Sequence, residues 1–323
     1  MVSVLPERLR NRVSPETKMT HPLAGLYAAL ATPYTETDEI SEPCLRELVR
    51  FVLRQNLDGC YVGGSTGEAL LHTTAERQSV LRIVAEESRS KAKLIGHVGA
   101  LSTNESVALA KTCVKCGYDA VSAIPPIYFP YTKENIHNYY RAIIDAAEGV
   151  PLLIYNIPVA TGRKFSFSEL AELIQLPGVV GIKQTEIDMY QMEQLRRRYP
   201  KLLLLNGYDE VFLSGLVSGA DGGVGSTYNI MGWRFRNLRA LVESGENKAA
   251  LQMQAKCNEV IDLLVSGGVF PSIKFILHKM GIIRAPNCRR PLGAAKDSCL
   301  AALSRVADTL IDEFKELQLD EAG

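Results

Sequence analysis

Short apolar runs alternate with helical patterns from about residue 24 to residue 240. The runs LYAALATP, GCYVGG, LIGHVGA, AVSAIPP, PLLIYNIP, VVGIKQT, LLLLNGY and ADGGVGS predict eight strands. Runs without polar alternation suit strands covered on both faces, as in a parallel sheet. Between them, Ile136, Tyr139, Tyr140, Ile143 and Ile144 repeat at the spacing of one buried helical face, and Phe167, Leu170, Ala171 and Ile174 do the same. Thr73 and Glu76 form a Thr-x-x-Glu capping box ahead of Val80, Ile83 and Val84. Eight strand–helix repeats, with no G-x-G-x-x-G in the first turn, favour an α/β fold closed as a (β/α)8 TIM barrel over an open dinucleotide-binding sheet.

After about residue 245 the strand signals stop. Leu251, Val260, Ile261 and Leu264 suggest one further helix, and Leu300, Leu303, Ala307, Leu310, Ile311 and Phe314 another. Helices beyond the eighth repeat have no room inside a barrel, so they are expected to pack outside it or on a neighbouring subunit. The expected organisation is a flexible extension over residues 1–20, a catalytic barrel over 21–240 and a C-terminal helical extension over 241–323. The length of 323 residues suits one barrel of about 250 residues with an appendage, though two ordinary domains would fit it too.

Lys plus Arg and Asp plus Glu number 36 each, with no long single-sign block, which argues against nucleic acid as a partner. The seven cysteines are odd in number and scattered, which suits a reducing cytosol rather than a disulfide framework, and a cytoplasmic protein is expected. Cys113 and Cys116 form a C-x-x-C, but no second pair follows at zinc spacing, and the segment reads as a helix closed by Gly117. The first twenty residues lack the apolar core of a signal peptide, and Met19 could be the natural start. No apolar run is long enough to span a membrane, so no membrane partner is expected.

Barrel enzymes carry their reacting groups at the C-terminal ends of the strands. Lys183 ends the run VVGIK, where it either points over the barrel mouth or reaches past the strand end to solvent. A lysine amine attacks a ketone only when unprotonated, and burial favours that form. The resulting iminium draws electrons from the adjacent carbon–carbon bond, so an aldol bond breaks or forms without a metal or other cofactor. Tyr155 ends LLIYNIP, where its phenol could move a proton or simply pack its ring. The loop GGSTGE offers Ser65 and Thr66 as a grip for a carboxylate, or is a tight turn and no more. The glycine-rich GADGGVGSTYN after the eighth strand keeps phosphate in play, but Asp209 and Glu210 in NGYDE would repel it and would instead accept hydrogen bonds from sugar hydroxyls. They would otherwise be a solvated acidic helix start. The five histidines show neither HxH nor HExxH spacing, so no metal site is expected, and His97 reads as a barrel-packing residue.

Together GGSTGE (63–68), YNIP (155–158), GIKQT (181–185), NGYDE (206–210) and GGVGSTYNIMGW (222–233) resemble the N-acetylneuraminate lyases. These lie within the larger family of pyruvate-dependent class I aldolases that includes dihydrodipicolinate synthase. The resemblance runs from about Leu23 to about Leu317; GGSTGE is shared widely in the larger family, whereas GIKQT with NGYDE and GSTYNIMGW is specific to the lyase branch. It implies Lys183 as the Schiff-base lysine, Tyr155 as the proton-transferring tyrosine, and Ser65 and Thr66 on the pyruvate carboxylate, with Ser65 joining the proton relay. It implies Thr185, Gly207, Asp209, Glu210 and Ser226 on the sugar chain, and Tyr128 as a catalytic-site aromatic near a subunit contact. It also implies a homotetramer and reversible cleavage of N-acetylneuraminate, a sialic acid, to pyruvate and N-acetylmannosamine. Ala160 stands where the synthases carry an arginine for a second carboxylate. The alternatives are another pyruvate-dependent aldolase, acting on a 2-keto-3-deoxy sugar acid or as a dihydrodipicolinate synthase, and a catalytically silent pyruvate-binding module.

Overall fold

The structure is a computed structural model that describes residues 21–88 and 91–320. The expected N-terminal extension over residues 1–20 lies outside the described residues. The strands are β1 (Leu26–Ala29), β2 (Gly59–Val62), β3 (Lys93–His97), β4 (Ala120–Ala123), β5 (Leu152–Asn156), β6 (Val179–Gln184), β7 (Leu203–Asn206) and β8 (Gly222–Gly225). Each pairs in parallel with the next, and β8 returns to β1, closing the barrel. All eight predicted runs are therefore strands.

The helices that follow the strands are α1 (Glu42–Arg54), α2 (Thr74–Ser88), α3 (Thr103–Cys116), α4 (Lys133–Ala146), the single turn α5 (Pro158–Thr161), α6 (Phe167–Leu173), α7 (Met189–Arg198), α8 (Phe212–Val217) and α9 (Tyr228–Glu243). After them come α10 (Asn247–Gly267), α11 (Val269–Lys279) and α12 (Asp297–Asp320). The Thr73–Glu76 box opens α2, with Thr73 N–H donating to Glu76 Oε2 at 2.8 Å and Glu76 N–H to Thr73 Oγ1 at 3.3 Å. Gly117 closes α3 in the left-handed conformation, as its place after the C-x-x-C suggests.

Alternation along each strand explains why the runs are apolar throughout. Tyr27, Tyr61, Ile95, Leu153, Tyr155, Leu203, Leu205 and Val224 fill the barrel interior. Their neighbours Ala28, Cys60, Leu94, Val121, Ile154, Ile182 and Leu204 face outward into the larger core with the helices. Lys183 follows outward-facing Ile182, so parity sends it inward.

Three features of the C-terminal region differ from the expectation or escaped it. Leu251 is 62% exposed; the buried face of α10 is made by Ala250, Gln254, Cys257, Val260, Ile261 and Leu264. The helix α11 was not foreseen, because Gly267 and Gly268 precede it and Pro271 sits in its first turn. The expected division at 240/241 falls within the last turn of α9. Among the described residues, no single helix is long and apolar enough to cross a membrane.

Candidate active site

The register places Tyr155 of β5 directly opposite Lys183 of β6 near the C-terminal rim. Lys183 is 3% exposed. Its Nζ lies 3.9 Å from the centre of the Tyr155 ring and 4.1 Å from that of Tyr61, which enters from β2. The two rings meet edge to face at 5.8 Å, and His97 stands edge to face with Tyr155 at 5.7 Å. The Tyr61 hydroxyl donates to Ser122 Oγ at 3.0 Å. The amine is thus walled by aromatic rings instead of reaching into solvent. His97 packs inside the barrel as expected from its place in the third run, whereas Tyr61 was not singled out from sequence, although it falls on the inward parity of its strand.

His97 hydrogen-bonds through Nδ1 to the Gly63 carbonyl at 2.8 Å. Burial, aided by the charge of Arg77, pushes the imidazole well below its ordinary range. The ring is therefore neutral at pH 7, with the proton on Nδ1 and donated to that carbonyl. This bond ties β3 to the start of the GGSTGE loop, where Gly63 takes φ +76°. Ser65–Gly67 then makes a single 3-10 turn with Ser65 exposed at its start. Thr66 Oγ1 and Ser226 Oγ are 2.7 Å apart, which joins this loop to the one after β8.

After β7, Asp209 is buried and not a solvated helix start. Its Oδ2 accepts from the Thr227 N–H at 2.9 Å and the Thr227 hydroxyl at 2.7 Å. Asp209 thereby takes up the backbone donor at the head of α9 that a phosphate would have used. Burial pushes its carboxyl up to about 6, against the pull of those two donors. The fit demands glycines: a Cβ on Gly225 would stand 2.3 Å from Asp209 Oδ1, and one on Gly207 1.9 Å from Thr185 Oγ1. Thr185 Oγ1 is buried with no hydrogen-bond partner in the protein. Glu210 is half-buried beside Asp209.

Ser65, Thr66, Tyr155, Lys183, Thr185, Gly207, Asp209, Glu210 and Ser226 therefore share one rim of the barrel. Tyr128 does not join them within the chain. It lies between β4 and α4, 88% exposed, with φ +83° and its ring against Phe129. Beside the Ser65 loop opens a cavity of about 240 Å³ whose wall includes Ile124, Ile127, Ile157, Ala160 and Leu292. No arginine or lysine is among the residues that line it.

The chain matches the dihydrodipicolinate synthetase family over residues 22–310. It is 49% identical over 291 residues to an N-acetylneuraminate lyase of Escherichia coli, an alignment that covers 90% of this chain and 98% of that one. Its fold superposes on the N-acetylneuraminate lyase of Fusobacterium nucleatum in complex with pyruvate with a TM-score of 0.82 and 36% identity, over 90% of this chain and 97% of that one. It likewise superposes on CdNal of Clostridium difficile in complex with mannosamine with a TM-score of 0.85 and 34% identity, over 91% and 100% of the two chains.

Proposed function

The chain belongs to the dihydrodipicolinate synthetase family, and we propose that it is a Schiff-base aldolase that reversibly cleaves N-acetylneuraminate to pyruvate and N-acetylmannosamine. The observation that carries this reading is the buried amine of Lys183, held between the Tyr155 and Tyr61 rings at the C-terminal rim. The curated lyase of Escherichia coli, with 49% identity across nearly its whole length, supports the choice of substrate.

In this reading Lys183 Nζ attacks the keto carbon of the open-chain sugar acid and expels water, which leaves an iminium. Tyr155 takes the proton of the hydroxyl on the carbon β to that iminium. The bond between the α and β carbons breaks; its electron pair moves to the iminium as an enamine, and the β carbon leaves as the aldehyde of N-acetylmannosamine. Proton return to the α carbon and addition of water release pyruvate and restore the amine. Ser65 and Thr66 would hold the carboxylate through hydroxyl and backbone N–H groups, with Ser65 relaying the proton. Thr185, Gly207, Asp209, Glu210 and Ser226 would receive the sugar chain. Since Asp209 Oδ2 is committed to Thr227, its Oδ1 would be the oxygen that accepts from a sugar hydroxyl.

A dihydrodipicolinate synthase must also grip a second carboxylate. The wall at Ala160 is mostly apolar and holds no cation, which disfavours that activity. We also propose a homotetramer with Tyr128 and Phe129, 88% and 64% exposed, at a contact between copies. The seven cysteines, all free thiols, suit a cytosolic setting.

The test is pyruvate release from N-acetylneuraminate, followed by NADH oxidation in a coupled assay with 2-keto-3-deoxygluconate beside it. Release from the sialic acid alone is expected, and release only from the shorter acid would move the chain to another aldolase of the family. Borohydride with pyruvate should add the mass of the reduced adduct to the wild type but not to Lys183→Met. Adduct formation elsewhere in the chain would overturn the role given to Lys183.

A further inference from the structure

The loop that offers Ser65 and Thr66 is held from behind by a buried ion pair. Glu68 closes the turn in the left-handed conformation, at φ +56°, and accepts no exposure on its side chain. Its Oε1 lies 2.5 Å from Nζ of Lys274, whose side chain is 1% exposed. Its Oε2 accepts from the Arg289 N–H at 2.7 Å. Lys274 comes from α11, among the buried residues Ile273, Ile276 and Leu277. Its ammonium also donates to the Asn287 carbonyl at 3.1 Å and sits 4.0 Å over the Tyr34 ring. The side chain of Arg289 runs on to the Asp38 carbonyl at 2.7 Å and to Glu76 at 2.8 Å. One turn at the barrel mouth is thus fastened to a helix outside the barrel.

As a source of stability this arrangement is poor. Two charges are taken out of water, and well-packed apolar residues in their place would often be as stable. As a device that fixes one turn in one place it is good, because each partner has a single buried seat. It also has an electrostatic consequence. Glu68 stands three residues from Ser65, at the end of a loop read as the receiver of an anion. Uncompensated, its charge would oppose a substrate carboxylate across a poorly screened interior.

We propose that Lys274 is a positioning residue for the carboxylate grip: it neutralises and holds Glu68, and through Glu68 it sets the turn that carries Ser65 and Thr66. The proposal rests on reading the chain as a pyruvate aldolase. It also gives the C-terminal helices a part in ligand affinity beyond covering the barrel.

The measurement is the pyruvate concentration at half-saturation of borohydride-dependent inactivation, taken on the folded full chain with the melting temperature recorded beside it. Lys274→Met leaves the Glu68 carboxyl buried without its cation and unanchored on that side, and should raise half-saturation by about tenfold or more, while the inactivation rate at saturation changes less. The double variant E68Q/K274M removes both charges and should return to within about threefold of the wild type. If K274M does not fold, Lys274→Arg, which keeps the charge but cannot seat it at the same place against Glu68, decides instead: a rise of about threefold or more at unchanged saturated rate supports the proposal. A K274M or K274R protein that saturates as the wild type does, with only the melting temperature lowered, would reduce the pair to a structural role and overturn it. A wild type that pyruvate and borohydride do not inactivate would sink the aldolase reading itself, which the variants cannot do.

Discussion

Asp209 shows how burial sets the charge of a side chain that also ties two loops of the rim together. Its carboxylate is buried, and two donations from Thr227 do not offset the loss of water, so the carboxyl titrates near 6 instead of near 3.8. The folded chain binds this proton more tightly than the unfolded chain does. The stability it contributes is therefore full below about pH 3.8 and is lost as pH rises through about 6. That difference corresponds to roughly 3 kcal/mol. Asp209→Asn keeps an acceptor for Thr227 but cannot titrate. The stability of the wild type relative to this variant should rise by about 2–3 kcal/mol between pH 7 and pH 4. Parallel pH profiles of the two proteins in urea would show that Asp209 ionises as an ordinary surface carboxylate. Tyr155 makes a separate demand at the same scale. Tyr155→Phe keeps the ring beside Lys183 and removes only the hydroxyl, so kcat should fall by about 100-fold or more while pyruvate half-saturation stays within a few-fold. A change in KM alone would deny the phenol its proton-transfer role.

At the scale of elements, the pair of strands β5 and β6 decides the geometry of the amine. Inward parity presents Tyr155 and Lys183 to the barrel, and outward parity presents Asn156 and Gln184 to the helices. Asn156 Nδ2 donates to Gln184 Oε1 at 3.0 Å, Gln184 Nε2 to Gln191 Oε1 at 2.8 Å, and Gln191 Nε2 to the Phe165 carbonyl at 3.2 Å. This chain of amides fastens the register of the two strands to α7 one residue on from Tyr155 and Lys183. Gln184→Leu fits the space but strands the amides of Asn156 and Gln191, so it should cost about 2–3 kcal/mol of stability. A loss under 0.5 kcal/mol in chemical denaturation would show that the ladder hydrogen bonds hold the register unaided. The same elements show what can be read from the chain alone. The eight strands are legible because each is covered on both faces, but for the same reason the uniformly apolar run VVGIK does not tell which way Lys183 points; that follows from the outward face of Ile182 in the folded barrel. Lys274 was not legible, because its helix follows two glycines and carries Pro271 in its first turn, so neither the element nor its face stands out. Leu251 misled for a simpler reason: an apolar residue in a helix need not lie on the buried face, and here Ala250 and Gln254 do.

The whole molecule raises the question of whether the C-terminal helices are a part of the barrel or a companion to it. Contacts of several kinds run between them. The ring of Phe314 in α12 lies 5.0 Å from that of Phe51 in α1 and 5.3 Å from that of Trp233 in α9. Arg234 of α9 grips Glu313 of α12 through Nε at 2.9 Å and Nη2 at 2.6 Å, while Trp233 donates to the same carboxylate at 3.2 Å. Leu303, Ala307 and Leu310 of α12 are fully buried in the one core that also contains the outward faces of the strands. With α11 seated against the GGSTGE loop through Lys274, helices and barrel share both their core and their candidate site. They should therefore unfold together, in one calorimetric transition. Leu310→Ala, far from the rim, should remove about 2–5 kcal/mol and lower that single transition by several degrees. Saturating pyruvate should raise the melting temperature of wild type and variant alike, because ligand stabilisation adds to the whole cooperative unit. Two resolved transitions, with only the first moved by Leu310→Ala and only the second by pyruvate, would instead make the helices a separate unit docked on a barrel that binds its ligand without them.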